Sequence, residues 1–568
     1  MGPVPPPRHG APRTRPAVIA ALVLLAAAAS GAIQAGTAGK AFTRELELVE
    51  PALARTTPVV LAVDSPRLAR RVFVVIIDGL RSDRSHELPF LDELRRNGLD
   101  LEAQSHYPTW SRPNYVSILA GVPPTASGVR TNYHFTSVSL DTLMDRAHDA
   151  RLHVATATDY ALLPELFLRP VDPREAARTA SLDTDLVIAP SIVPLPDGAL
   201  RSVFDDARYT PWPGGFAQAG RALVAGDADL VVLLLSPVDI AGHEHGADDP
   251  EYRRAAERAD RMLARVLGDV DLEQDTVVVV ADHGHTGPGG HGGIEPEVMT
   301  VPLILAGAGI DRTGRAPDAR LIDVAPTVAA LLGIPAPGHG VGVTLTDLLT
   351  LDADARSRRE AADQLRLSIT QSVVALSEAR AEVQLIEDRA LRLALVGLGT
   401  GLAIALAVFA IRRRAVRLDL RVLLVSVPAF FGVYYTLIGT VGQRFSPSLV
   451  PEEGDIADSL IRYAALSMVV QLAASLWALH KQRPFAQRLA AANGIACVCL
   501  MLTLVPAGLL WAFFPAPYVL VPGPFWLVVI PAVQIAVAGA AINVALTLVV
   551  EVVVFAAEAW QKHPPPTT

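Results

Sequence analysis

The 568-residue sequence predicts an α/β domain with a doubly wound, mostly parallel sheet, joined to an all-α domain that crosses a membrane several times. Two observations predict this combination. Short β-rich apolar runs alternate with helical patterns between residues 70 and 345. Apolar runs close to the roughly 20 residues that a membrane-spanning helix needs lie near the N-terminus and after Arg392.

The composition excludes several classes of protein. Hydrophobic residues make up 51% of the chain and charged residues 19%, and the mean hydropathy is +0.35. This apolar excess argues against a purely soluble enzyme and excludes disorder for most of the chain. The net charge of −9 shows no basic excess, so we expect no nucleic-acid binding. Two cysteines, Cys497 and Cys499, are too few for a disulfide scaffold or a cysteine-based zinc site.

The apolar runs predict six membrane spans. The first, at residues 17–35, is a membrane anchor or, as the alternative, a cleaved signal peptide. Five more form a predicted membrane domain at residues 393–550, with spans at 393–411, 422–442, 463–479, 489–514 and 525–550. Gln534, Asn543 and the cysteine pair fall inside these spans. We interpret them as helix-packing residues, with a lipid or substrate path as the alternative.

Basic residues predict the orientation of these spans, because every cluster falls on one side of a six-span arrangement. The clusters are Arg8, Arg13 and Arg15; Arg412, Arg413, Arg414, Arg417 and Arg421; and Lys481, Arg483 and Arg488. The positive-inside rule then predicts cytoplasmic tails at residues 1–16 and 551–568 and an outward-facing segment at 36–392. Within that segment, apolar residues at helical spacing predict a helical stalk at 355–391.

Five apolar runs in the outward-facing segment predict buried parallel strands, at residues 72–77, 153–157, 230–235, 276–281 and 302–306. Helical patterns lie between and after them, at 250–267 and 323–333. Three of the strands lead into acids, which are Asp78, Asp239 and Asp282. Because ligands bind outside the carboxyl ends of the strands in an open α/β sheet, we expect these three carboxylates to converge on one crevice.

Histidines accompany these acids, since five of the 14 histidines lie between residues 243 and 291: His243, His245, His283, His285 and His291. A mixture of Asp and His ligands without Cys suits catalytic Zn²⁺, with Mn²⁺ as the alternative. Each histidine taken alone is better explained as a loop residue bonded to backbone. The repeated occurrence of acid, histidine and glycine at strand ends favours a metal site.

Thr109 is the candidate nucleophile. It lies near the predicted N-terminus of a helix, where the helix dipole favours an anion. A free Thr hydroxyl is a poor nucleophile, but coordination to a metal can deprotonate it near neutral pH. The alternative is a simple helix cap made by Thr109 or Ser111.

Together these residues resemble the alkaline phosphatase superfamily, in its branch of nucleotide pyrophosphatase/phosphodiesterases and GPI ethanolamine-phosphate transferases. The resemblance covers residues 72 to 340. The matching motifs are Val-Ile-Ile-Asp78-Gly, Pro-Thr109-x-Ser-Arg-Pro-Asn, Asp239-x-x-Gly-His243-x-x-Gly, and Ala-Asp282-His283-Gly followed by Gly-His291-Gly-Gly. Such relatives usually carry Met where this sequence has His285, whose role is open between support of the site and contact with substrate. GPI transferases also usually carry many more C-terminal spans than five.

The resemblance implies two divalent cations and a set of residue roles. One cation would be held by Asp78, Thr109, Asp282 and His283, and the other by Asp239, His243 and His291. Thr109 would be the nucleophile of a phospho-threonine-type intermediate, and Asn132 would contact a phosphoryl oxygen.

We therefore expect a membrane-anchored, metal-dependent phosphodiesterase or phosphoethanolamine-type transferase. Its site would face the non-cytoplasmic side and act on a lipid-linked or envelope phosphoester. One alternative is a phosphomonoesterase of the same superfamily. Another is a membrane transporter or scaffold with a degenerate domain, against which the complete ligand set argues. The choice between hydrolysis and transfer, the oligomeric state and the role of residues 160–225 stay open at this point.

Overall fold

The computed structural model describes residues 14–46, 51–170, 200–211, 214–315, 318–440, 446–449, 453–482, 484–515 and 523–562. Several predictions fall outside these ranges. They concern residues 1–13 and 563–568 of the expected tails, the orienting residues Arg8, Arg13 and Arg483, and residues 171–199 within the segment of open role.

An eight-stranded sheet forms the centre of the α/β domain. Its strands are β1 (Val72–Ile77), β2 (Gly98–Gln104), β3 (Val154–Thr158), β4 (Asp206–Tyr209), β5 (Leu230–Leu235), β6 (Thr276–Val280), β7 (Thr300–Gly307) and β8 (Ala319–Arg320). Their order across the sheet is β8-β2-β7-β6-β1-β5-β3-β4. The five strands from β6 to β4 pair in parallel, which confirms the predicted mostly parallel α/β sheet.

One strand prediction was wrong in direction. Residues 302–306 lie in β7, which pairs antiparallel with both β2 and β6. The reason is the connection: after β6 the chain stays at the carboxyl end of the sheet, makes the short helix Pro296–Met299, and enters β7 from that same end. A parallel pairing would need a crossover to the opposite end. A strand that is buried on both faces has the same apolar composition whether it pairs parallel or antiparallel. Composition therefore did not reveal the direction of β7.

Helices cover the central strands. Every residue of β1 and of β5 is buried, as expected for strands enclosed on both faces. The helices of this domain are α2 (Ser82–Ser85), α3 (Pro89–Arg96), α4 (Ser111–Ala120), α5 (Pro124–Ser127), α6 (Leu143–Asp149), α7 (Leu162–Leu166), α8 (Phe216–Ala225), α9 (Pro237–His245), α10 (Pro250–Leu267), α11 (Pro296–Met299) and α12 (Val324–Leu331).

Helix α10 shows why the local sequence predicts its bounds well. The Asp249 side chain accepts a hydrogen bond of 2.8 Å from the Glu251 amide and so caps the first turn. Pro250 occupies the first helical position, where its missing N–H costs nothing. Tyr252, Ala259 and Leu263 are buried along one face, which packs the helix onto the domain.

Six helices among the described residues are long and apolar enough to cross a membrane, and the protein is an integral membrane protein. They belong to α1 (Thr14–Leu46), α13 (Ala353–Arg412), α14 (Leu420–Thr440), α15 (Glu453–Leu479), α16 (Phe485–Phe513) and α17 (Pro524–Lys562). Each overlaps one of the six apolar runs. Polar side chains join three of them, since Asn543 Nδ2 lies 2.5 Å from Gln471 Oε1 and Gln471 Nε2 lies 3.3 Å from Cys499 Sγ. These contacts are those of helix packing.

The stalk and the following span form one continuous helix, α13, of 60 residues. Its first turns are bound to the α/β domain by buried side chains. Arg366 donates to Gly342 O at 2.8 Å and to Asp363 at 2.6 Å, and Asp363 in turn accepts from the Thr344 amide at 2.7 Å. The helix therefore joins the α/β domain to the membrane without an intervening loop.

At the end of the sheet opposite the predicted crevice, Asp275 joins two strands. It lies directly before β6, is fully buried, and accepts hydrogen bonds from Arg70 and Arg71, which precede β1. The shortest contact with Arg71 is 2.7 Å. This pairing ties the amino ends of β6 and β1 together and so sets how their carboxyl ends align.

We predict that Asp275→Ala destabilises the protein by about 3 kcal/mol, because it leaves the largely buried Arg71 charge without its partner. Thermal unfolding of the purified protein in detergent would measure this. The exposed pair of Glu251 and Arg254 provides the control, since Glu251→Gln should leave the unfolding transition in place. Equal transitions for Asp275→Ala and the parent protein would contradict the prediction.

Candidate functional site

The three predicted carboxylates converge. Asp78 follows β1, Asp282 lies two residues beyond β6, and Asp239 lies in the first turn of α9 after β5. These three strands are neighbours in the sheet, in the order β6-β1-β5. Their carboxyl ends therefore place all three acids in one crevice, where Asp78 and Asp282 are buried.

A first group of candidate metal ligands consists of Asp78, Asp282 and His283, whose ligand atoms lie within 4.8 Å of one another. His283 Nε2 is 3.3 Å from Asp78 Oδ1 and 3.4 Å from Asp282 Oδ2. The other ring nitrogen, Nδ1, is 3.1 Å from the carbonyl of Gly284, which assigns the proton to Nδ1. The Nε2 lone pair then faces two carboxylates, an arrangement that suits a cation between them.

A second group consists of Asp239, His243 and His291. The two histidines bring their Nε2 atoms to 3.0 Å from each other, and each of these atoms is 3.5 Å from Asp239 Oδ1. His291 Nδ1 lies 2.7 Å from the carbonyl of Thr109, so its proton is on Nδ1 and its Nε2 lone pair points at His243. Two ring nitrogens and a carboxylate therefore aim at one point.

An unsatisfied buried atom supports the same interpretation for the first group. Asp282 Oδ2 is buried and makes no hydrogen bond with the described part of the chain. Burial and the neighbouring carboxylates raise the pKa of Asp78 well above its ordinary value. Burial lowers the pKa of His283 and of His291. Neutral imidazoles and crowded carboxylates are what a divalent cation stabilises, so the residues present fit metal ions.

Thr109 lies next to the second group, because its carbonyl contacts His291, and it comes two residues before α4. Its hydroxyl accepts a hydrogen bond of 2.8 Å from the Gly292 amide and donates one of 2.9 Å to the Gly293 carbonyl. The N-cap residue of α4 is Trp110, and no side chain caps the helix there. The Thr109 hydroxyl is therefore not a simple helix cap. Its place as a metal ligand stays a prediction.

Asn132 lies at the same helix end. Its Oδ1 accepts a hydrogen bond of 3.0 Å from the amide of Arg112, in the first turn of α4. The Arg112 guanidinium reaches over this loop, donating to Tyr160 at 3.1 Å and lying 4.4 Å from the centre of the Phe135 ring. The structure thus brings Asn132 close to the loop of Thr109, while its contact with a phosphoryl oxygen stays a prediction.

Sequence reasoning missed two residues that hold the acids in place. Tyr115 donates a hydrogen bond to Asp78 Oδ2, and Ser111 Oγ lies 3.2 Å from His283 Nε2. The two residues are four positions apart on α4, so they share the helix face that looks into the crevice. Their spacing of four residues, in the stretch that follows Thr109, is a sequence signal that could have found them.

His285 supports Asp239. The Gly290 amide donates to His285 Nδ1 at 3.2 Å, so Nε2 carries the proton and donates it to Asp239 Oδ1 at 2.8 Å. A nitrogen that carries a proton is not a metal ligand. Gly242 explains how the ring fits, because a Cβ there would lie 2.6 Å from it. His245 lies outside the crevice, with its side chain 43% exposed and 3.7 Å from Glu244.

Known proteins resemble the α/β segment that contains this site. Residues 72–292 match the family model of type I phosphodiesterase / nucleotide pyrophosphatase. The GPI ethanolamine phosphate transferase 3 catalytic subunit of Homo sapiens is 25% identical over 324 residues, 52% of this chain and 27% of the relative. GPI ethanolamine phosphate transferase 1 of Homo sapiens is 23% identical over 324 residues, 50% of this chain and 33% of the relative. The match thus spans a third or less of the relatives' length.

Among solved structures, a murine ectonucleotide pyrophosphatase/phosphodiesterase 5 covers 50% of this chain and 100% of its own, with a TM-score of 0.39 and 15% identity. The family match and the curated relatives confirm that this segment resembles the nucleotide pyrophosphatase/phosphodiesterase and GPI ethanolamine-phosphate transferase branch of the alkaline phosphatase superfamily, as its motifs predict.

Proposed function

We propose that the protein is a metal-dependent phosphoethanolamine-type transferase, or a phosphodiesterase when water replaces the acceptor, acting on a lipid-linked phosphoester at the outward face of the membrane. The observation that carries this proposal is the convergence of three carboxylates and three imidazoles beside the Thr109 hydroxyl. The curated relatives, which are named as ethanolamine phosphate transferases, support the choice of group.

The position of the site supports a lipid-linked substrate. Trp110, next to Thr109, is buried among Leu46 at the end of α1 and Leu527 and Ile530 near the start of α17. The nucleophile loop therefore packs against the ends of membrane-spanning helices. A phosphoester on a lipid headgroup reaches this level of the protein while its tails stay in the bilayer.

Two divalent cations, Zn²⁺ first and Mn²⁺ as the alternative, would supply positive charge that lowers the pKa of the Thr109 hydroxyl and neutralises phosphoryl oxygens. Asp78, Asp282 and His283, with Thr109, would hold one of them. The other would be held by Asp239, His243 and His291.

The chain's own groups then carry out a two-step exchange. Thr109 Oγ1 loses its proton to solvent and forms a bond to phosphorus as the bond to the leaving oxygen breaks. The Gly292 N–H, already aimed at Oγ1, stabilises the negative charge on that oxygen. Asn132 donates through Nδ2 to a phosphoryl oxygen, since its Oδ1 is occupied by the Arg112 amide. Water or an acceptor hydroxyl then attacks phosphorus and releases Thr109.

The first test concerns the nucleophile. We predict that Thr109→Ala lowers turnover of bis-p-nitrophenyl phosphate by at least about 10³-fold, because the Thr109 oxygen forms the covalent intermediate in this mechanism. Bound metal, measured by mass spectrometry, identifies a folded site. The matched control is Thr313→Ala, an exposed threonine whose hydroxyl donates to Asp311. Full turnover by metal-loaded Thr109→Ala would rule out this nucleophile, and absence of turnover in the metal-loaded parent protein would favour a non-enzymatic membrane protein.

The second test separates diester from monoester chemistry. We predict a higher kcat/KM for bis-p-nitrophenyl phosphate than for p-nitrophenyl phosphate, and loss of both activities on removal of metal with a chelator and recovery with Zn²⁺. A strong preference for the monoester would instead identify a phosphomonoesterase.

Mass spectrometry of membrane lipids and envelope glycans with and without the protein would identify the modified molecule.

The third test concerns His285. We predict that His285→Met, which places here the residue usual in relatives, weakens metal binding by roughly 10- to 100-fold, because Asp239 loses the donor that orients it. Competition with a chromogenic chelator measures this affinity. His245→Met is the matched control, since His245 lies outside the crevice and should show unchanged affinity. An unaltered affinity in His285→Met would show that Asp239 does not depend on this donor.

A further inference from the structure

A short segment between two membrane helices contacts the catalytic loop. Residues 446–449 lie between α14 and α15 and contain the 3₁₀ turn Pro447–Leu449. Ser448 is fully buried. Its hydroxyl oxygen accepts a hydrogen bond of 2.7 Å from the amide of Gly293, two residues after His291. The membrane domain is thus in direct contact with the loop that carries a predicted metal ligand.

Glu295 determines how Ser448 is oriented. Ser448 donates its hydroxyl proton to Glu295 Oε2 at 2.6 Å, and Ser446 donates to the other oxygen, Oε1. Because the Ser448 proton is committed to Glu295, the Ser448 lone pair faces the Gly293 amide. The fit is close, since a Cβ on Gly293 would lie 2.6 Å from both serine oxygens.

Gly293 links this contact to the nucleophile. Its amide is held by Ser448, and its carbonyl accepts the hydrogen bond from the Thr109 hydroxyl at 2.9 Å. The adjacent Gly292 amide donates to the same hydroxyl at 2.8 Å. Two hydrogen bonds therefore separate Ser448 from Thr109. A glycine pair has little stiffness of its own, so its position depends on such contacts.

We infer that Ser448, fixed by Glu295, is a positioning residue that holds the Gly292–Gly293 backbone against Thr109, so that the membrane domain completes the catalytic site. The packing of Trp110 on Leu527 and Ile530 supports this, because it docks the other side of the nucleophile loop on the same membrane domain. This inference rests on the proposed function, in which Thr109 forms the covalent intermediate. It assigns to the membrane domain a role beyond anchoring.

The test uses the full-length protein in detergent, loaded with Zn²⁺, and bis-p-nitrophenyl phosphate as substrate. In Ser448→Ala we expect kcat to fall about tenfold with KM unchanged, because one hydrogen bond that positions the Gly292 amide is lost. Metal content should stay at the parent level. Glu295→Gln should lower kcat in the same direction, and the double variant should be no worse than Ser448→Ala alone, since both residues act through one contact.

Ser467→Ala is the matched control, because Ser467 is another buried serine of the membrane domain and its hydroxyl, among the residues that the structure describes, bonds to Tyr463 O of its own helix at 2.7 Å. Its kcat should equal that of the parent. An unchanged kcat in Ser448→Ala, a rise in KM alone, or an equal fall in Ser467→Ala would overturn the inference. If Ser448→Ala fails to fold, the kcat and KM of Glu295→Gln test the inference instead, and an unchanged kcat in that variant would overturn it. Thr109→Ala, tested in parallel, shows separately whether the proposed function itself holds.

Discussion

Crowding of like charges at one edge of the sheet is the constraint on which the rest of the site depends. Asp78, Asp239 and Asp282 end up together because β6, β1 and β5 are neighbours, and the lone pairs of His283 and His291 point toward them. Buried carboxylates repel one another, and neutral imidazoles do not relieve that repulsion. Positive charge between them would remove the conflict, so divalent cations bound at this edge would stabilise the folded domain.

The surrounding structure keeps this arrangement in place from several directions. Tyr115 and His285 each donate to one of the acids, and Gly242 leaves space for the His285 ring. At the far end of the sheet Asp275 holds β6 to β1 through the paired arginines. A shift there would move both carboxyl ends, so a buried ion pair distant from the crevice also determines the geometry of the site.

The membrane helices take part in this geometry as well as in anchoring. Helix α13 continues from the α/β domain into its span without a break, and Trp110 is buried against α17. Ser448 contacts the loop that holds the Thr109 hydroxyl. These contacts place the candidate nucleophile at the ends of the spans. In this position an α/β domain outside the bilayer would reach the headgroup of the lipid-linked substrate that we propose.

The sequence by itself determined the apolar spans, the α/β class and the strands that carry the acids, because each depends on local periodicity or on residue type at a strand end. The division of the ligands into two candidate metal groups came from the resemblance to the superfamily and stays a prediction. The direction of β7, the support of Asp239 by His285 and the contact of Ser448 with Gly293 were decided only by the tertiary structure. Strand direction depends on the route of the connection. Ser448 lies 155 positions from Gly293, and no local pattern relates residues that only folding brings together.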